Sequence, residues 1–226
     1  MLLCENIIAM YHYLSKGDNV EKVEVPIYKA HRLIYPLLVV LVSCINPETK
    51  KPNIIAIDWV TPVSLNPPMV GILLAPRRYS HEQISRAREF VVNVPTMEIL
   101  EKVIKCGKVS GRHHDKFVEF GLTPKPSKVI KTPIVEECVA HIECKLVKKI
   151  PAGDRTIFLG EVVAAYANKG ALSEDLIDAE KTKKIYQSGG DIFTTLSDKR
   201  VMGYKYSRLR KNLINIPRHV REECLK

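Results

Sequence analysis

The stretch Asn53-Ile54-Ile55-Ala56-Ile57-Asp58-Trp59-Val60-Thr61-Pro62-Val63-Ser64-Leu65-Asn66-Pro67-Pro68 decides the architecture of this chain. β-Branched and aromatic residues fill it, and the double proline that closes it excludes a helix. A second apolar run, Met69–Leu74, follows directly, so strands are expected on both sides of the prolines. Next, Pro76-Arg77-Arg78-Tyr79-Ser80 opens a helix over residues 82–88, with Ser80 the expected N-cap and Glu82 in its first turn. A strand feeding an Arg/Ser-rich turn at a helix start suits an anion, because free N–H groups, the helix dipole and cationic side chains all favour negative charge there. Arg77, Arg78 and Ser80 are therefore candidate phosphate ligands. An arginine pair on a helix start is equally ordinary as surface charge.

Working outward, Leu33–Cys44 is apolar enough to form a central strand buried on both faces. Ile54–Asp58 and Phe90–Val94 are further strands. Thr96 caps a predicted helix running through Lys105, with Gly107 beyond its end. A short helix is expected over Asp115–Phe120, stopped by Gly121. Val139–Lys148 and Thr156–Ala165 flank the turn Pro151-Ala152-Gly153-Asp154 and predict an antiparallel pair. Ser173–Ile185 has helical character, and Gly189-Gly190 leads into the apolar stretch Ile192–Leu196. Many strands with a few interposed helices predict a mainly β chain with flanking helices, an α+β barrel in one domain. That domain is expected over residues 1–198, its core at about 30–196, with residues 1–25 an amphipathic lead-in.

The chain has 226 residues, 46% hydrophobic and 27% charged, the balance of an ordinary globular protein. Its longest apolar run, Leu37–Ile45, is far too short for a bilayer span. The opening Met1–Glu5 carries no basic n-region, so no signal peptide is expected and cytoplasmic placement is the default. Net charge is +10, but residues 199–226 hold nine Lys/Arg against two Glu, so +7 belongs to a basic C-terminal tail. Such a tail suits an acidic partner or nucleic acid through counterion release, and equally a solvated basic face, which makes nucleic acid the less favoured partner.

Six cysteines without a CxxC pair exclude a zinc cluster and a dense disulfide framework, and no metal site is expected. Cys44 and Cys144 sit in apolar runs as core residues. Cys106, beside Gly107, is open to a helix-packing role or a thiol role next to a redox group. His113 and His114 lack metal-ligand spacing to any other cluster. Ile57-Asp58-Trp59-Val60-Thr61 and Ser64 mix an aromatic with small hydroxyls beside prolines, where strand pairing must end. Backbone groups left off a ladder there can hydrogen-bond the edge of a planar ring that Trp59 would wall, or Trp59 can simply pack. There is no G-x-x-x-x-G-K-[ST] or G-x-G-x-x-G motif, which disfavours P-loop and Rossmann sites.

The ordered elements Asn53…Trp59…Thr61-Pro62-Val63-Ser64…Pro67-Pro68, Arg78-Tyr79-Ser80, Phe90-Val91-Val92-Asn93, Cys106-Gly107…Ser110-Gly111…Asp115-Lys116-Phe117 and Gly121-Leu122-Thr123 resemble the flavin reductase-like family, in particular its flavoredoxin-type members. Pro133–Glu136, His141–Cys144, Ile157–Val162 and Gly189-Gly190 with Ile192-Phe193 continue the match. The resemblance implies an FMN-binding split β-barrel and a homodimer with FMN near the interface. It also implies NADH or NADPH as reductant, with free flavin or a redox partner protein as acceptor. By the same resemblance, Ile57, Asp58, Trp59, Val60, Thr61 and Ser64 hold the flavin ring and ribityl chain. Arg77, Arg78 and Ser80 hold the phosphate, with Ser110 and Lys116 as further contributors. Two departures stand out: His81 where relatives place Thr, and Gly153-Asp154-Arg155 where nicotinamide-using members carry Gly-Asp-His. Two rival expectations remain, an FMN-bound electron carrier reduced by a partner and a non-enzymatic binding module working through the basic tail.

Overall fold

The structure is a computed structural model that describes residues 21–173 and 176–196. Seven strands form one antiparallel sheet: β1 (Val40–Ile45), β2 (Pro52–Ile57), β3 (Val60–Leu65), β4 (Pro68–Leu74), β5 (Glu89–Val94), β6 (Ala140–Ala152) and β7 (Arg155–Ala167). Among the described residues four α-helices accompany them, α1 (Tyr79–Ala87), α2 (Leu100–Lys108) and the single turns α3 (Lys116–Glu119) and α4 (Ala179–Thr182).

The strand order is β2-β1-β5-β6-β7-β4-β3. The two edges are thus consecutive in sequence, with only Asp58 and Trp59 between them. Two linking residues span only about 10 Å, so the sheet must curl until its edges approach at this corner. They do not pair, which makes the fold a split barrel rather than a closed one. Both edge strands carry proline (Pro52 and Pro62), where a missing ladder donor is tolerated.

Period-two alternation places β1 between two cores. Val40, Val42 and Cys44 join Ile72, Ile84, Phe90 and Phe158 in one. Val39 and Leu41 join Ile54, Val103, Cys106 and Phe117 in the other, beneath α2 and α3. At the β6–β7 register shift next to Gly160, a Cβ on that residue would stand 2.6 Å from Phe90 Cζ and 2.8 Å from Cys144 Cβ. Only glycine permits that approach.

Several expectations needed correction. Leu33 and Ile34 end a 3₁₀ segment, Ile27–Ile34, and the strand proper starts at Val40 because Pro36 interrupts the ladder. The short strand Leu37–Leu38 pairs instead with the hairpin Tyr186–Gly189 and Ile192–Thr194. Gly107 lies inside α2 rather than past it. Among the described residues of 173–185, helix is limited to Ala179–Thr182. Asp178 accepts from Glu180 N and Lys181 N and so starts the single turn Ala179–Thr182, which Lys183 ends with left-handed backbone. The tail 199–226 and most of the predicted lead-in lie outside the described residues. Among the described residues no helix is long and apolar enough to cross a membrane.

Candidate functional site

Edge strand β2 presents its outer side to three adjoining cavities. The smallest, of about 120 Å³, is lined by Ile55, Arg77, Arg78, Ser80, Ser110, Gly111 and Lys116 among others. All five side chains predicted for the phosphate meet there. They come from the start of α1, the loop after α2, and α3.

Ser80 is not the N-cap of α1. Arg78 occupies that position with extended backbone and makes no side-chain cap. Buried Ser80 instead receives a hydrogen bond on Oγ from Asn53 Nδ2 at 2.8 Å. That bond uses an acceptor lone pair of Oγ, and the Ser80 hydroxyl also lies within hydrogen-bonding reach of the Cys44 sulfur. A Cβ on Gly111 would fall 2.0 Å from Asn53 Oδ1, so glycine lets the loop close over Asn53. Asn53 is thus a positioning residue, and nothing in its spacing from Ser80 foretold the pairing.

Lys116 dominates the electrostatics. It is only 4% exposed, and Nζ donates to Ile54 O at 2.8 Å and Cys106 O at 2.7 Å. Burial, aided by the Arg78 guanidinium, pulls its pKa down to about 8, so it remains largely a cation near neutral pH. No carboxylate pairs with it among the described residues. Glu82 is engaged by Arg112 at 2.8 Å and Asp115 by Lys51 at 3.3 Å. Arg77 and Arg78 are exposed and likewise lack side-chain hydrogen bonds or ion pairs among the described residues. Uncompensated cations, one of them buried, together with a hydroxyl of fixed acceptor side, fit a phosphate dianion.

The largest cavity, about 270 Å³, is lined by His31, Tyr35, Ile55–Trp59, Leu73–Ala75, Arg78, Arg155 and Gln187. At its corner the Tyr35 hydroxyl lies beside Trp59 and Asp58, and burial raises its pKa. The Arg155 guanidinium lies over the Trp59 ring at 5.1 Å. The His31 ring meets Trp59 edge-on at 6.1 Å. Ile57 and Asp58 also line a third cavity, of about 160 Å³, with Gly107, Lys108, Gln187 and Phe193. His31, Tyr35 and Gln187 carried no sequence signal, because they reach the site only through the turn and hairpin packed on it.

Ile57, Asp58 and Trp59 therefore come to the cavities. Val60, Thr61 and Ser64 do not. Trp59 O accepts from Leu73 N, which returns the chain to the ladder and carries these three along the opposite edge. Val60 packs on the first core and Thr61 Oγ1 donates to Pro62 O. His81 does not line the cavity of Arg77, Arg78 and Ser80; it bonds Thr156 Oγ1 at 2.9 Å and meets Phe158 edge-on. Cys106 is fully buried and burial pushes its thiol up to about 11, which fits packing rather than thiolate chemistry. His114 pairs with Glu119 at 2.8 Å.

Comparison with known proteins identifies the family and the fold. An Archaeoglobus fulgidus protein of uncharacterised function is 36% identical over 74% of this chain and 92% of its own. A Pseudomonas putida flavin reductase is 36% identical over 57% of this chain and 71% of its own. The crystal structure of a flavoredoxin from Methanosarcina acetivorans superposes with a TM-score of 0.74 at 28% identity, covering 84% of this chain and all (100%) of that one. The model of the flavin reductase like domain matches residues 31–186, which encompass every cavity-lining residue except those of the closing hairpin, and the chain belongs to that family.

Proposed function

We propose that this protein binds FMN and works as a flavin oxidoreductase that takes electrons from NADH or NADPH. Family membership supports a flavin-related redox role. The observation that carries the choice of FMN is Lys116, a buried ammonium without a carboxylate partner among the described residues, in a small pocket beside Arg78 and Ser80. In this reading Arg77, Arg78, Ser80, Ser110 and Lys116 hold the phosphate, while Ile57, Asp58 and Trp59 line the space for the ring. Bound flavin supplies hydride and electron transfer. The chain itself contributes charge, orientation and exclusion of water, so the lack of an acid–base pair among its site residues is no obstacle.

A homodimer accompanies the proposal. Leu65, 93% exposed, and Val63, 46% exposed, lie along edge strand β3 and give a second copy apolar surface to cover. The decisive experiment is anaerobic titration of FMN-saturated protein with NADH and then NADPH, followed by visible absorbance. Bleaching by either nucleotide is the expected result. Retained colour with both would make the protein an electron carrier served by a partner, and failure to bind FMN at all would refute the proposal.

A further inference from the structure

We infer that Arg112 is a positioning residue that straps the two walls of the smallest cavity together and so slows the release of FMN. The inference rests on the flavin reading above and extends it from which groups grip the phosphate to how long they keep it. One wall is residues 77–80 at the start of α1, and the other is residues 109–111 of the loop after α2. Arg112 does not line the cavity, yet it contacts both walls. Its Nη2 donates to Glu82 Oε2 at 2.8 Å, and its guanidinium stands 5.1 Å from the centre of the Tyr79 ring. Tyr79 and Glu82 lie one turn apart on α1. At the tip of the Tyr79 ring, Asn46 Nδ2 donates to the hydroxyl at 3.5 Å, so the ring is held at both ends.

On its own side of the cavity Arg112 sets Ser110. Its backbone N–H donates to Ser110 Oγ at 3.3 Å, while Ser110 O accepts from His113 N at 3.1 Å and His114 N at 3.2 Å. A hydroxyl that accepts from the backbone keeps its proton for an acceptor such as phosphate. The same loop is tied to β2, where Gly111 packs on Asn53, and to Lys51 by Asp115 at 3.3 Å. What remains to be restrained is the gap between loop and α1, and Arg112 spans it. Arg86, 3.8 Å from the other Glu82 oxygen, belongs to α1 itself and bridges nothing.

The sign of a Glu82→Gln effect separates a strap from simple electrostatics. Glu82 is a carboxylate two residues from Ser80, so on charge alone its removal should slow the release of an anion. As half of a strap, its loss should speed that release. The two side chains are 48% and 39% exposed, which keeps the effect modest.

Full-length protein loaded with FMN would be diluted, and release read from the recovery of flavin fluorescence. Glu82→Gln and Arg112→Gln should each release FMN about two- to fivefold faster. The double variant should be no faster than Arg112→Gln, because both changes break one contact. Riboflavin, which has no phosphate for Ser110 to hold, should leave at an unchanged rate. Glu101→Gln, which breaks an exposed pair with Lys105 within α2, is the control and should alter neither flavin. If wild-type protein holds FMN but Glu82→Gln releases it at the same rate or more slowly, the strap is refuted and the flavin site stands. A double variant faster than either single one refutes it too. If wild-type protein takes up no FMN, the flavin reading falls and the strap with it.

Discussion

Lys116→Met isolates the phosphate interaction, because methionine keeps most of the apolar stem while deleting the ammonium. The native amine spends two of its three protons on Ile54 O and Cys106 O, which leaves one for the cavity. A charge-assisted hydrogen bond to phosphate is worth about 1.5–3 kcal/mol, so the variant should bind FMN about 10- to 100-fold more weakly. Riboflavin, which lacks the phosphate, should change by less than about threefold on the same scale. Quenching of flavin fluorescence on titration with protein gives both constants. The pKa adds a second signature. In the free protein Lys116 is held down to about 8, whereas a bound dianion would favour its charged form and raise that value. Binding FMN above that pH must then take up a proton, so the preference for FMN over riboflavin should decline as pH rises through 8, by up to about tenfold per unit. In Lys116→Met the step should vanish. Equal weakening of both flavins, or a wild-type preference that stays flat from neutral to alkaline pH, would refute the placement of phosphate at Lys116.

Other outcomes follow from the same coordinates. Glu143 is fully buried and accepts from the N–H groups of Lys128, Val129 and Ile130 and from the Tyr166 hydroxyl. Burial pushes its pKa up, but these four donors more than offset it, and the net shift is downward. Its contribution is therefore complete above the ordinary carboxylate pKa and lost as pH falls through the lower folded value. Glu143→Gln, whose amide would face backbone donors, should cost about 3 kcal/mol in chemical denaturation at neutral pH. Gly160→Ala should cost about 1–3 kcal/mol by overpacking Phe90 and Cys144, seen as a lowered midpoint with unchanged slope. Alkylation of native protein with iodoacetamide at neutral pH should spare Cys44, Cys106, Cys138 and Cys144 by mass-spectrometric mapping, because burial raises all four thiols. Prompt labelling of Cys106 would reopen a thiol role there.

Strands announced by a local pattern were legible in the chain. The pair around Gly153-Asp154, the strand Glu89–Val94 and the break at Asn66-Pro67-Pro68 all stand where turn chemistry and alternation put them. That Arg77, Arg78 and Ser80 share one cavity was readable because they stand together at the start of α1, whereas Ser110 and Lys116 were reached only through the family resemblance. What long-range packing decides was not readable. Tyr35 and His31 gain meaning only once the 3₁₀ segment folds against the Trp59 corner. Arg155 meets Trp59 because the β6–β7 hairpin carries it there, and no local window holds both residues. Thr61 and Ser64 share an unbroken-looking β run with Ile57, but the corner at Asp58-Trp59 sends them to the far edge of the sheet. Lys183, in left-handed backbone, ended after a single turn a helix that composition favoured.

The outermost position of β2 also bears on solubility. A bare strand margin is a template on which another chain can add by main-chain pairing. Here Lys116 blocks the margin at Ile54 O, whereas the stretch from Ile55 to Ile57 faces the cavities. A ligand seated against that stretch would serve as a stopper as well as a reagent. Stripped of it, the protein should clump on warming sooner than the loaded form, and light scattering during a thermal ramp would register the difference.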